Sequence, residues 1–444
     1  MSSRERMRSM PGHRARKERR HWTRWVLTAG SLFLTILVFE FLTPWFYSAL
    51  EGRPFPREEL VHQLAQQPLE WTQMGHEAVT RAPNYVTNKV IHPYIGFVAD
   101  PERGNINPYG FHGPDPLESR KDDELRVALL GGSLALGNTG YLEAALGRTL
   151  NERSGSQTAA VRVFSLALDG YKQPQHLFAL EYLLLAGADF DVVVNLDGFN
   201  EIALPFSENV VAGVHPIYPR SWQLFSRSMT SPEIAEKVVE FHRRKSDYEW
   251  WRRHFDFAVA RHSNLLLLTW SALANWKMRL IRAADTELRE ILRDAPEQPR
   301  DVGPPASYPS REALFRDLVR VWRESSSLMS RLCAARGIAY FHFLQPNQYV
   351  NEAKPLSEWE RTHATTPGPF RDAAELGYPL LIENGAYLKA AGVPFWDLTR
   401  LFSGIEETLY SDNCCHLNDE GNRILAERMA SFIVANLPAV SKPQ

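Results

Sequence analysis

The 444-residue sequence predicts an α/β sandwich built on a parallel sheet, and three observations carry that expectation. Five short apolar runs, rich in β-branched and aromatic residues, are bounded by turn residues. Longer segments with helical spacing of apolar positions separate them. Parallel strands also need crossover connections, which places helices on both faces of the sheet. In such a sheet ligands gather outside the carboxyl ends of the strands.

The five runs are RVALL (126–130), VRVFSL (161–166), DVVVNL (191–196), IAYFHFL (338–344) and VPFWDL (393–398). Helical segments such as QPQHLFALEYLLLAG and LFRDLVRVWRESSSLMSRLCAARG lie between them. The first half of this core is expected over 121–206 and the second over 306–444. The gap between the third and fourth runs is too long for one crossover, so 207–305 is expected to be a mainly helical insertion. Its EWWRRHFDFAVARHSNLLLLTWSALANWKMRLIR clusters Trp, Leu and Arg. The expectation is a helical cap with a small core of its own; a surface for a bilayer, a glycan or an envelope protein partner is the alternative. Residues 49–120 are punctuated by proline and glycine (HPYIGFVADPERGNINPYGFHGPDP) and read as a lead-in of turns and short strands packed on the main domain.

The N-terminus has a separate character. Residues 1–24 hold nine Arg or Lys against Glu5 and Glu18, while the whole chain has a net charge of −2, so the remaining body is acidic. An acidic body argues against a nucleic-acid surface there. After the basic arm comes WVLTAGSLFLTILVF, then Glu40, then FLTPWFYSAL. This stretch is long enough to span a bilayer, with Trp25 at one end and Trp45, Phe46 and Tyr47 at the other as interfacial anchors. A transmembrane anchor is therefore expected over 25–48, with a cytoplasmic N-terminus and the body in the periplasm or exterior of an inner (plasma) membrane; a cleaved signal peptide or a buried core helix is the alternative. Glu40 near the far end is tolerable where it reaches the interface. Cys333, Cys414 and Cys415 include no CxxC pair of the kind that offers a zinc site; one bridge from Cys333 to Cys414 or Cys415, or three buried thiols, both fit.

The first run leads directly into GGSLALGNT. Gly132 to Thr139 spells GxxxxG followed by Asn-Thr, close to a phosphate-binding loop but lacking its lysine, and Ala135 breaks the GxSxG elbow. What remains is Ser133, presented after two glycines at a strand end, with its N–H at the start of a helix where developing negative charge is favoured. A serine there needs a base. YSDNCCHLNDEGNRILAERMA supplies His416, with Asp412 close enough to hold its tautomer, both in a loop before a helix. Gly170 follows the second run, and Gly198 and Asn200 follow the third. Glycine-turn N–H groups and a side-chain amide are what an oxyanion hole uses. His342, inside a strand, reads as a satisfied core or rim histidine, and Asp397 as structural. Asn347 and Gln348 can reach substrate from the loop after the fourth run.

Gly131-Gly132-Ser133, Gly170, Gly198-Phe199-Asn200-Glu201 and Asp412 to His416 resemble the four blocks of the SGNH (GDSL-like) hydrolase superfamily, in the family's order. The lead-in and LQPNQY (344–349) resemble membrane-anchored bacterial members. The resemblance implies a flavodoxin-like three-layer sandwich with Ser133 as nucleophile, His416 as base and Asp412 as orienting acid. It implies an oxyanion hole from the Ser133 and Gly170 amides and the Asn200 side chain, and no cofactor or metal. Gly132 stands where the GDS form has aspartate, and Glu201 where Gly-x-Asn-Asp has its aspartate. Asp412 is four residues before His416 rather than the family's three, with Asn413 in the expected place. The implied activity is hydrolysis of an ester, with an O-acyl or O-acetyl group on a cell-envelope glycan as substrate. An O-acyltransferase with the same site and a non-catalytic envelope scaffold are the alternatives.

Overall fold

The computed structural model describes residues 30–437 apart from 32, 33, 36, 59, 62–88, 103, 155–159, 229, 230, 256–261 and 295–297. The basic arm at 1–24 and much of the lead-in lie outside these residues. So does the start of the expected span, and among the described residues no helix is long and apolar enough to cross a membrane.

All five sequence runs form strands of one parallel sheet: β3 (Glu124–Gly131), β4 (Ala160–Ser165), β5 (Val192–Asp197), β6 (Ala339–Leu344) and β7 (Phe395–Asp397). They follow a two-stranded antiparallel hairpin, β1 (Lys89–His92) and β2 (Gly96–Ala99). The sheet order is β4-β3-β5-β6-β7, which is the flavodoxin-like 2-1-3-4-5 order. Alternation along β3 shows why the sheet is covered on both sides. Val127 and Leu129 enter one core with α1 (Ser133–Ser154) and α8 (Asp419–Asn436). Ala128 and Leu130 enter the other, with α2 (Gln175–Ala186), α3 (Phe199–Leu204), α6 (Arg311–Ala335) and α7 (Pro369–Ala390). The three-layer sandwich expected from the sequence is thus the observed one.

The described part of the lead-in belongs to the core. Phe97 and Phe111 are fully buried in it, and the buried Arg126 of β3 donates to the Pro116 and Glu118 carbonyl oxygens while lying over the Phe164 ring.

Residues 69–242 and 284–444 form one compact unit, and 1–68 with 243–283 form another. The expected insertion contains α4 (Pro232–Phe255) and α5 (Asn264–Asp294) and is divided between them. In the larger unit, Ile234, Val238 and Leu288 make a small core. In the smaller unit Trp251 stacks on Trp270, and residues 37–51 are helical. There Glu40 accepts hydrogen bonds from Ser263 Oγ and from the Asn264 and Leu265 N–H groups. The one charge in the apolar segment therefore caps the first turn of α5, where an anion meets free N–H groups and the positive end of the helix dipole.

Candidate active site

Two loops and two helix starts meet at the carboxyl edge, at the point where the strand order reverses between β3 and β5. β3 ends at Gly131, whose φ of +151° and closeness to the Leu196 carbonyl require glycine; a Cβ there would lie 2.2 Å from that oxygen. The chain turns at once into α1, which places the half-buried Ser133 at its first residue. Asn138, in the segment that resembled a phosphate loop, donates to the Asn422 carbonyl oxygen of α8. It thereby ties the serine's helix to the helix that follows the histidine loop.

The histidine loop closes on itself. Ser411 N–H donates to the His416 carbonyl oxygen, and Tyr410 bridges Leu417. Asp412 Oδ1 sits in the middle, accepting from the N–H groups of Cys414, Cys415 and His416 at 2.9, 3.2 and 3.3 Å. Its Oδ2 meets His416 Nδ1 at 2.5 Å, and His416 Nε2 lies 2.7 Å from Ser133 Oγ. The longer Asp-to-His spacing is therefore accommodated by a tight turn wrapped around the carboxylate. Asn413 points elsewhere, donating to Thr366 Oγ1.

Burial opposes the charge on both members of the pair, but each holds the other ionised. The Asp412 carboxylate lifts His416 well above the usual imidazole value, with Asp169 adding to the effect. His416, with the Cys414 and His416 N–H groups, keeps Asp412 below the usual carboxylate range.

Asn200, in the first turn of α3, places its amide beside Gly132, the residue before Ser133. Its Nδ2 donates to the Tyr171 carbonyl oxygen at 2.9 Å and occupies the space a side chain at Gly132 would need, 2.2 Å from a Cβ built there. This is the physical reason that glycine precedes the serine. Gly170 adopts a φ of +71° in the turn before Tyr171. The Ser133 and Gly170 N–H groups donate to no acceptor among the described residues. Two free N–H groups and an amide, on segments that converge on one serine, can receive an oxyanion.

Several polar residues proved to be supports. Gln348 donates to the Ala364 and Asp412 carbonyl oxygens, and Asn347 to that of Cys414. Both are buried, so they hold the histidine loop rather than reach for substrate. The buried Glu360, paired with Lys354, accepts from the Leu409 and Tyr410 N–H groups just before the loop. His342 is a satisfied core histidine, as its place in the strand suggested, and Asp397 caps a turn by accepting from Thr399 N–H. Asp169, Asp197 and His176 gave no sequence signal that set them apart from ordinary turn, strand and helix residues, whereas Glu201 stood in the block that holds Asn200. Glu201 Oε1 and Oε2 accept from the Gln173 and Gly198 N–H groups, linking the turn after β4 to the start of α3. Burial, with Asp197 nearby, raises the Glu201 carboxyl to about 7. Cys333, Cys414 and Cys415 are all free, so no bridge joins Cys333 to the loop.

No family model matches the chain, and no curated protein matches it. Among solved structures it is similar to an acetyl xylan esterase, at 13% identity and a TM-score of 0.30, covering 70% of this chain and all of the other. A likeness of that size establishes neither the fold nor the chemistry.

Proposed function

We propose that the protein is a serine esterase of the SGNH type. The observation that carries this reading is the unbroken chain from Ser133 Oγ through His416 Nε2 and Nδ1 to Asp412 Oδ2. With His416 neutral, Ser133 O–H donates to Nε2 and Nδ1–H donates to Asp412. His416 takes the serine proton as Oγ attacks the ester carbonyl carbon. The carbonyl oxygen gains negative charge opposite the Ser133 and Gly170 N–H groups and the Asn200 amide. Protonated His416 then gives its proton to the leaving alcohol, which departs and leaves Ser133 acylated. Water, deprotonated by His416, repeats the sequence and releases the acid.

The substrate we favour is an O-acyl or O-acetyl ester on a cell-envelope glycan. The basic arm and apolar segment at the N-terminus support an anchor that keeps the domain on the outer side of the inner membrane. A sugar hydroxyl in place of water would make the same machinery an O-acyltransferase. The closed loop around the Asp412 carboxylate supports the esterase reading over a non-catalytic envelope scaffold.

A fluorophosphonate probe tests the reading: wild type labels, while Ser133→Ala and His416→Ala do not. Equal labelling of all three, or no labelling of wild type, overturns it. Hydrolysis of p-nitrophenyl acetate with and without a sugar acceptor separates esterase from transferase. Reporter fusions after Leu50 and at the C-terminus test the anchor; a cytoplasmic signal from either refutes it.

A further inference from the structure

The histidine loop carries two neighbouring thiols for which the esterase reaction has no use. Cys414 Sγ and Cys415 Sγ are 3.4 Å apart, and these two atoms and an imidazole nitrogen of His416 all lie within 4.8 Å of one another. Two sulfurs bound to one tetrahedral zinc at about 2.3 Å sit roughly 3.8 Å apart, so the pair is within a few tenths of an ångström of chelating distance. Its surroundings are those of a reachable site. The His416 side chain is 37% exposed and Cys414 is half-buried, so a cation can enter from the mouth of the active site. The other group of metal-ligating side chains, His176, Asp197 and Glu201, is sealed in the core, with Asp197 already filled by hydrogen bonds.

We propose that Cys414, Cys415 and His416 form a binding site for a thiophilic divalent cation of the zinc and cadmium class, and that its occupancy switches the esterase off. Two thiolates and one imidazole nitrogen supply three ligands, a donor set suited to such ions and poorly suited to magnesium or calcium. The fourth position is left to solvent. The imidazole is the same one that must accept the Ser133 proton, so a bound cation and a working base exclude each other. Binding must release thiol protons as the metal–sulfur bonds form. The inhibitory half of the proposal rests on the triad reading; the binding half does not.

The test is titration of the full chain with Cd²⁺ alone, followed by the ultraviolet thiolate-to-cadmium charge-transfer absorption. Wild type and Ser133→Ala are expected to develop the band with one equivalent, and so is Cys333→Ser. The Cys414→Ser/Cys415→Ser double variant is expected to lose it; Cys414→Ser alone, at the half-buried position, gives the same readout where the double variant does not fold. His416→Gln should bind more than about tenfold more weakly, as removal of a ligand demands. Ester hydrolysis by wild type should fall in step with the band and return on adding a chelator. Absence of the band, its survival in the cysteine variants, or an unchanged affinity in His416→Gln overturns the site. Inhibition of the cysteine variants as strong as that of wild type overturns the switch. A wild type that shows the band but hydrolyses no ester refutes the esterase reading and leaves the cation site standing.

Discussion

Among the described residues, a Ser–His–Asp chain occurs twice. In one, His416 Nε2 meets Ser133 Oγ at 2.7 Å and Nδ1 meets Asp412 at 2.5 Å. In the other, His342 Nδ1 meets Ser326 Oγ at 2.7 Å and Nε2 meets Asp197 at 2.8 Å. By distance they are near twins, although the ring nitrogens are exchanged, with Nδ1 rather than Nε2 toward the serine in the buried chain. They differ in their surroundings: the His416 side chain is 37% exposed, whereas His342 and Asp197 are at 0% and 1%. The Ser133 N–H donates to no acceptor among the described residues. Ser326 instead faces Tyr340, and the indole of Trp322 donates to Asp197. A triad, then, is defined by an approachable serine and a prepared place for the oxyanion, not by its hydrogen bonds. The buried chain neutralises a core carboxylate. Burial alone would raise the Asp197 pKa, yet its histidine partners hold it well below the ordinary value.

The largest expected effect lies at the exposed serine. Ser133→Ala should lower kcat for p-nitrophenyl acetate by at least about 10⁴-fold, because the proposed nucleophile is gone and only binding and the proposed oxyanion hole remain. Asp412→Asn should follow at roughly 10³- to 10⁴-fold, since an amide no longer fixes the tautomer in which Nε2 accepts. Gly132→Ala should cost about 10²- to 10³-fold, the usual loss for one oxyanion donor, because its methyl group would stand where the Asn200 amide now lies. Steady-state kinetics on folded variants, checked by circular dichroism, measure all three. Undiminished kcat in Gly132→Ala would remove Asn200 from the oxyanion hole.

A smaller effect concerns pH. His416 must be neutral to accept the serine proton, so activity should climb as pH rises through its pKa. Because Asp412 raises that pKa, the acid limb of kcat/KM should have its midpoint above the ordinary histidine value of about 6.5. In Asp412→Asn the cause is removed, and the midpoint of the residual activity should move down toward about 6.5. A limb at the same pH in both enzymes would mean that Asp412 does not govern the histidine.

Most of the fold was legible because parallel strands buried on both faces are written as continuous apolar runs, and all five were found in place. Ser133, Gly170, Asn200 and His416 were legible because each follows a strand or precedes a helix at the edge where sites form. Asp412 was harder to assign. Its role depends on a turn that gathers three N–H groups around one oxygen, which spacing alone does not describe. Asn347 and Gln348 were legible as polar loop residues, but what they grip in the histidine loop lies 64 or more residues away in sequence. The Ser326–His342 contact leaves no mark at all: one residue lies on a helix face, the other in a strand, and each is an ordinary occupant of its place.

The smallest expected effect on activity is therefore at that second serine, and it is the sharpest test of the comparison. Ser326→Ala removes the buried hydroxyl that meets both His342 Nδ1 and Tyr340 OH. The unmatched polar atoms should cost about 1–3 kcal/mol of stability, seen as a lower midpoint in denaturant. Activity and fluorophosphonate labelling should stay within a few-fold of wild type, since the hydroxyl touches no reacting atom. Loss of labelling in a folded Ser326→Ala protein would mean that the buried chain acts on the exposed one. The available route runs from His342 to Asp197, through Gln173 to Glu201, and on to the start of α3 that carries Asn200. Unchanged labelling with reduced stability would instead establish that the same three residue types, similarly connected, serve only packing when no substrate can reach them.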